Sequence, residues 1–319
     1  MTNKVGIIGM GHVGSTLAHQ LIVSGVAEKY VFIDKNNAKV NSDALDFRDA
    51  LPNLNTHFEV TVNNYAALKD ADVVISALGN VQIEKETHNN RRAEFTFTRK
   101  QVPSVGKKLK ASGFHGVLVD ITNPCDAITN LYQKATGFPK NKVMGTGTLL
   151  DSSRLKRTVG DVFSVDPRSV SGYNLGEHGD SQFTAWSTVK VLDQPISKWC
   201  QENNLDLKAI SQKIKLGGHK VFFGKFYTNY GIAAAASHLV QCILNDSHQV
   251  LPVCNFRKDY GTCLSYPAVV GRKGVIKPLN LTLTKMEKEK LANSAKCIKQ
   301  ASSYTVKSEA TAYVKAVKD

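Results

Sequence analysis

Apolar and polar positions follow each other along this chain in two rhythms. Val5-Gly6-Ile7-Ile8 is a short run without a polar residue, and the turn Gly9-Met10-Gly11-His12-Val13-Gly14 follows at once. Leu17, Ala18, Leu21 and Ile22 then recur at helical spacing until Ser24-Gly25 interrupts them. Tyr30-Val31-Phe32-Ile33 is a second apolar run, closed by Asp34. Continuous apolar runs of this length fit strands buried on both faces, and a period of about 3.6 fits an amphipathic helix. Residues 4–34 therefore read as β–turn–α–β. The alternation continues with strand-like runs at 72–77, 117–121 and 142–145 and helix-like segments at 38–50 and 92–112. Strands alternating with helices predict a parallel sheet with right-handed crossovers, whose ligands sit beyond the C-terminal strand ends. Asp34, Gly79, Asn80 and Asn123 fall at such ends.

After Gly147 the rhythm changes. Residues 149–158 are helix-like and carry Asp151 and Arg154 three apart, on one face. Strand-like runs follow at 169–173 and 183–192, then a long helical stretch over 205–244. Residues 247–253 and 262–270 predict an antiparallel pair, and 286–317 a closing helix whose lysines form a solvated face. The fold class read from this is α/β: a parallel sheet of the Rossmann kind, followed by an α+β catalytic unit with antiparallel strands. The division is placed at 1–145 and 146–319, without a linker.

Composition narrows the class. With 319 residues and 42% hydrophobic content the chain can bury a large core. Six scattered cysteines without a C-x-x-C pattern argue against zinc and a disulfide framework and fit a reducing, cytoplasmic setting. No apolar run approaches the roughly 18 residues of a membrane span, and Met1-Thr2-Asn3-Lys4 does not open a signal peptide. The net charge of +14 raises nucleic acid as a partner. The lysines are spread along the chain and no basic run alternates with aromatics, so solubility and attraction for small anions are the expected consequences.

The glycine turn carries the first chemistry. In such a unit the first glycine permits the tight turn, the second lets the backbone approach a pyrophosphate, and the third lets helix and strand pack closely. Phosphates then sit on the open N–H groups of the helix N-terminus. Gly9, Gly11, Val13 and Gly14 are thus expected to bind a dinucleotide, with Asp34 on the adenosine ribose and Gly79, Asn80 and Asn123 also against the cofactor. Asp34 would repel a 2′-phosphate, so the cofactor is expected to be NAD. The bland alternative is a glycine-rich turn in some other α/β protein.

The second is Asn174-Leu175-Gly176-Glu177-His178-Gly179-Asp180-Ser181. A histidine exchanges a proton near neutrality, its ordinary pKa being about 6.5. Alone, the stretch could equally be a polar surface loop. Residues 80–91 are polar and irregular after a cofactor-side strand end, and fit either a closing lid or an exposed loop.

Taken together, the turn at 9–14 with Asp34, Ala77-Leu78-Gly79-Asn80, Asn123-Pro124-Cys125-Asp126, the run from Gly145 to Arg154 and Gly176-Glu177-His178-Gly179-Asp180-Ser181 resemble the L-lactate/L-malate dehydrogenase superfamily over essentially the whole chain. Within it, residues 166–179 and 113–119 most resemble L-2-hydroxyisocaproate dehydrogenase. The resemblance implies roles. His178 matches the proton donor and acceptor, Asp151 the carboxylate that orients it, and Arg154 the residue that grips the substrate carboxylate. Arg91 matches the lid arginine that polarises the carbonyl, Asn123 a side chain on the substrate oxygen, and Thr228 a pocket wall. Without the resemblance, Asp151 and Arg154 would read as a surface pair. Alignment through Ser104-Val105-Gly106 selects Arg91, whereas counting through the lid would select Arg92.

The departures matter too. The lid is about three residues longer than usual in lactate enzymes, and no arginine precedes position 91, which disfavours a dicarboxylic substrate. Position 171 is serine where the fructose-1,6-bisphosphate-activated relatives have histidine. Cys125 stands where valine is usual, as a packing residue or a target of thiol reagents. The expectation is an NAD-dependent L-2-hydroxy acid dehydrogenase of the hydroxyisocaproate type, with pyruvate as the alternative substrate. It would act as a dimer or homotetramer, without nucleic-acid, membrane or metal partners. An NAD-binding protein without catalysis is the non-enzyme alternative.

Overall fold

The apolar runs form the core of a nine-stranded sheet in a computed structural model, which describes residues 2–80, 82–83, 91–203 and 205–303. The parallel part consists of β1 (Lys4–Ile8), β2 (Lys29–Ile33), β3 (Glu59–Val62), β4 (Val73–Ser76), β5 (Val117–Asp120) and β6 (Val143–Gly145). Its order is β3-β2-β1-β4-β5-β6. The helices of this half are α1 (His12–Val23), α2 (Asn37–Ala50), α3 (Arg91–Ala111) and α4 (Cys125–Thr136). Strand side chains alternate between faces. Val5, Ile7, Val73, Ile75, Val117 and Val119 meet Leu17 and Leu21 of α1 on one face. Ile8, Val74, Leu118 and Val143 meet Val102 and Leu109 of α3 and Ile128 and Tyr132 of α4 on the other. Both faces are covered, which is why these strands carry no polar alternation.

The second half opens with α5 (Leu149–Phe163) and the short strands β7 (Val170–Ser171), β8 (Asn174–Leu175), β9 (Phe183–Thr184), β10 (Lys190–Val191) and β11 (Gln194–Pro195). Helices α6 (Ile196–Asn203), α7 (Leu207–Lys225) and α8 (Tyr230–Leu244) follow, then β12 (Gln249–Arg257), β13 (Thr262–Gly271), β14 (Gly274–Pro278) and α9 (Lys285–Ser303). The antiparallel strands β12 to β14 extend the first sheet, β12 joining β6 through Cys254 and Gly145. Helix α8 lies on the same sheet face as α1, with Ala233, Ala236 and Leu239 in that core.

The α/β class with a parallel-dominated sheet and a C-terminal antiparallel part is as expected. Several local readings change. The run 183–192 is two two-residue strands separated by a 3-10 turn at Trp186–Thr188, and it ends at Leu192, which with the following Asp193 has positive φ. The helical stretch 205–244 breaks at Phe226, whose φ is 63°. Strands β3 and β14 escaped the sequence reading: β3 is a four-residue edge strand, alternately exposed and half-buried. In α9 the apolar side Leu291, Ala295 and Ile298 is buried and Lys288, Lys296 and Lys299 are exposed; residues 304–317 of the expected helix lie outside the described residues. Among the described residues no helix is long and apolar enough to cross a membrane.

Candidate active site

The glycine turn joins β1 to α1, and its three glycines answer to three different demands. Gly9 has φ +97°, and a Cβ there would stand 2.5 Å from the Ala77 carbonyl oxygen. A Cβ on Gly14 would run into the Gly9 carbonyl, so the helix can start this close to the strand only with glycine. Around Gly11 nothing lies within 4 Å of a Cβ position, which leaves its backbone open to a ligand at the start of α1. At the end of β2, Asp34 accepts the N–H of Met10 at 2.7 Å and that of Asn36 at 2.8 Å. Each carboxylate oxygen keeps acceptor capacity for a ribose hydroxyl. A shaped turn, an open glycine and a carboxylate at the next strand end together fit the adenosine diphosphate half of NAD.

The next two strand ends form the floor. The N–H of Leu78 donates to Thr122 Oγ1 at 3.0 Å, tying the end of β4 to that of β5. Gly79 and Asn80 leave one strand, and Asn123, followed by a cis peptide bond to Pro124, leaves the other. Asn80 Oδ1 accepts the N–H of Gln82 at 3.1 Å. Of the expected lid, residues 81 and 84–90 lie outside the described residues. Arg91 is the first residue of α3, and the side chains of Arg91 and Arg92 likewise lie outside what is described.

Asp151 stands in the first turn of α5 and Arg154 one turn on. Arg154 Nη1 donates to Asp151 Oδ1 at 2.9 Å, and His178 Nδ1 lies 2.6 Å from Oδ2 of the same carboxylate. A carboxylate accepting at that distance makes Nδ1 the protonated nitrogen and directs Nε2 to the other side. Asp151 is 3% exposed. Glu177 and Asp180, the neighbours of His178 in sequence, do not take this role: Glu177 accepts from the Ser181 hydroxyl, and the Asp180 carbonyl accepts from Lys215. Gly218 of α7 lies flat on Arg154, so that a Cβ there would stand 3.2 Å from the guanidinium carbon. Tyr227, next to Thr228, stacks on His12 with ring centres 3.9 Å apart.

These parts border one cleft of about 790 Å³. Gly9, Gly11, Val13 and Asp34 line one end, Gly79, Asn80 and Asn123 the floor, and Arg154, His178 and Thr228 the other end. Gly14 supports the turn from behind, and Asp151 lies beneath His178. Cys125 borders the cleft but is 2% exposed, its thiol pushed well up by burial, and packs with Cys254 and Cys263. A thiol so disposed is a packing residue rather than a reactive one. The sequence reading passed over Glu94 and Phe97 of α3, His12 and Gly218, all of which border the cleft. His12 was visible inside the glycine motif. The others carry no local signal, since only the helix positions bring them to the cleft.

Residues 3–145 match the lactate/malate dehydrogenase NAD binding domain, and residues 148–309 match the lactate/malate dehydrogenase alpha/beta C-terminal domain. The chain belongs to the lactate/malate dehydrogenase family. L-lactate dehydrogenase 1 of Bifidobacterium longum is 36% identical over 307 residues, covering 93% of this chain and 96% of its own. L-lactate dehydrogenase 3 of Bacillus cereus is 35% identical over 302 residues, covering 92% and 95%. The fold matches the crystal structure of minor L-lactate dehydrogenase from Enterococcus mundtii in its ligands-bound form, with TM-score 0.89 and 33% identity over 94% of this chain and 97% of that one. The protein is an NAD-dependent oxidoreductase of the 2-hydroxy acid dehydrogenase type.

Proposed function

We propose that the enzyme interconverts 2-oxo and L-2-hydroxy monocarboxylic acids, with a preference for branched side chains of the 2-oxoisocaproate kind. The observation that carries the reading is the single carboxylate of Asp151, which holds both His178 and Arg154 at one end of the cofactor cleft. Bound NADH supplies the hydride. Arg154 uses one of its five N–H donors on Asp151 and offers the rest of its planar fork to the substrate carboxylate, fixing orientation as well as affinity. As the imidazolium, His178 gives its Nε2 proton to the carbonyl oxygen as charge develops there, and Asp151 behind the ring stabilises that cation, which forms again when the reaction runs backwards. The Asn123 side chain donates to the same oxygen. Arg91, at the head of α3, meets charge that exists only in the transition state and so raises the rate rather than ground-state affinity.

One feature supports a bulky side chain: the long segment between Gly79 and Arg91. The lack of an arginine earlier in that segment speaks against a dicarboxylic acid. A second reading, pyruvate as substrate, is favoured by the relatives above, which are named as lactate dehydrogenases. With Ser171 in place of histidine the enzyme works without fructose-1,6-bisphosphate. It is taken to be cytoplasmic and a dimer or tetramer, with the dinucleotide and substrate units meeting near residue 146.

Steady-state rates with NADH and 4-methyl-2-oxopentanoate, pyruvate or oxaloacetate decide among these. The proposal expects kcat/KM to be highest for 4-methyl-2-oxopentanoate. A maximum at pyruvate selects the second reading, and turnover of oxaloacetate alone defeats both.

A further inference from the structure

Asp126 has no part in the chemistry above. It is the second residue of α4 and is 2% exposed. Its Oδ2 accepts the main-chain N–H of His178 at 2.6 Å, and its Oδ1 accepts the Ser265 hydroxyl at 3.2 Å. Ser265 ties together the rest of the site. Its N–H and C=O pair with Gly176, two residues before His178, and its Oγ accepts the N–H of Thr148, the cap residue of the helix that bears Asp151. The His178 loop and the Asp151 helix therefore meet at one buried point, and an ionisable group stands there.

An amide or an apolar side chain would fill that space without the desolvation cost of a carboxylate. Burial pushes the Asp126 carboxyl up to about 6, against the pull of the His178 N–H, the Cys254 thiol and the nearby imidazole. The titratable groups that face it are His178 and Glu177 from the loop, Cys254 from β12, Cys125 beside it, and Asp120 at the end of β5. Burial raises both thiols and Asp120 well above their ordinary values. Of the loop residues, His178 draws the Asp126 carboxyl down and Glu177 pushes it up.

We propose that Asp126 is a positioning residue for proton transfer, which anchors the His178 main chain to β13 and, as an anion, favours the imidazolium form together with Asp151. The inference rests on His178 being the proton donor. Asp126→Asn keeps an acceptor for the His178 N–H and turns an N–H toward the Ser265 hydroxyl, reversing that hydrogen bond, but removes the charge; Asp126→Ala removes everything. For reduction of the best 2-oxo acid, Asp126→Ala is expected to lower kcat about tenfold or more at all pH values, with the Kd for NADH, read by fluorescence titration, unchanged. Asp126→Asn is expected to recover part of that loss. It should also move the basic limb of the kcat/KM profile about half a pH unit lower, because the imidazolium loses an anionic neighbour. A role confined to folding would alter thermal stability and leave that limb in place. A profile of Asp126→Asn that superimposes on the wild type overturns the inference, and this variant decides even where Asp126→Ala fails to fold. A wild-type enzyme that reduces no 2-oxo acid but binds NADH overturns the assignment of His178 itself.

Discussion

Asp151 serves two masters, and that makes its substitution diagnostic at the level of a single side chain. One of its oxygens holds the imidazole expected to transfer the proton and the other holds the arginine expected to bind substrate. Replacing His178 with Asn should leave Arg154 in place, so kcat falls by a factor on the order of 10³ while KM for the 2-oxo acid changes little. Asp151→Asn should do more. Its amide can no longer fix the Nδ1–H tautomer, which in comparable triads costs about 10⁴ in rate, and it also frees the Arg154 fork, so KM should rise as kcat falls. Steady-state kinetics of the two variants side by side check this; a loss in kcat alone from both would mean that Arg154 holds its place without Asp151. Local sequence could not have found this partnership. Glu177 and Asp180 lie nearer to His178 in the chain, and the 27 residues from Asp151 to His178 are closed by the packing of α5 against β8 and by Ser265 between helix and loop.

The glycine turn shows what was legible at the scale of elements, and why. Its strand, turn, helix and acidic strand end follow one another within about 30 residues, so each signal is local. The structure separates the glycines by function, which gives a paired test. Gly11→Ala meets no atom in the protein, and is expected to keep the melting temperature within a degree or two while weakening NADH binding at least tenfold, because the methyl group occupies ligand space. Gly14→Ala meets the Gly9 carbonyl, and is expected to lower the melting temperature by several degrees, at a cost of about 1–3 kcal/mol, because strand and helix must move apart. Equal melting temperatures for the two would refute the separation. Other elements were illegible because their causes are not local. The break at Phe226 has no glycine or asparagine to announce its left-handed backbone, and β3 is an edge strand whose pattern is set by the partner on one side only. The long reading of 183–192 failed for a related reason: the apolar positions are real, but Ala185 is buried and Trp186 half-buried by tertiary contact rather than by a ladder.

Across the whole molecule, one sheet runs through both halves and α8 of the second half covers the core of the first, so the cleft between the glycine turn and His178 is built by both. The net charge of +14 acts on that cleft from a distance. Lys35, Lys39, Lys108 and Arg154 border it, against Asp34 and Glu94. Both expected ligands, a 2-oxo acid and a dinucleotide, are anions, and a positively lined cleft raises their local concentration before contact. This attraction works over distances that salt screens, the Debye length being about 10 Å at 0.1 M. The Asp151–Arg154 pair, with Asp151 buried and Arg154 half-buried, feels salt less. kcat/KM for the 2-oxo acid is therefore expected to fall several-fold between roughly 20 mM and roughly 500 mM sodium chloride, while kcat stays constant. A flat kcat/KM would assign the charge to solubility alone. Nucleic acid offers the competing account of the same charge, and the two separate on a heparin column: retention at physiological ionic strength by the NADH-saturated enzyme would show that the basic surface lies outside the cleft and binds polyanions, whereas its release at low salt leaves steering of small anions as what the charge does.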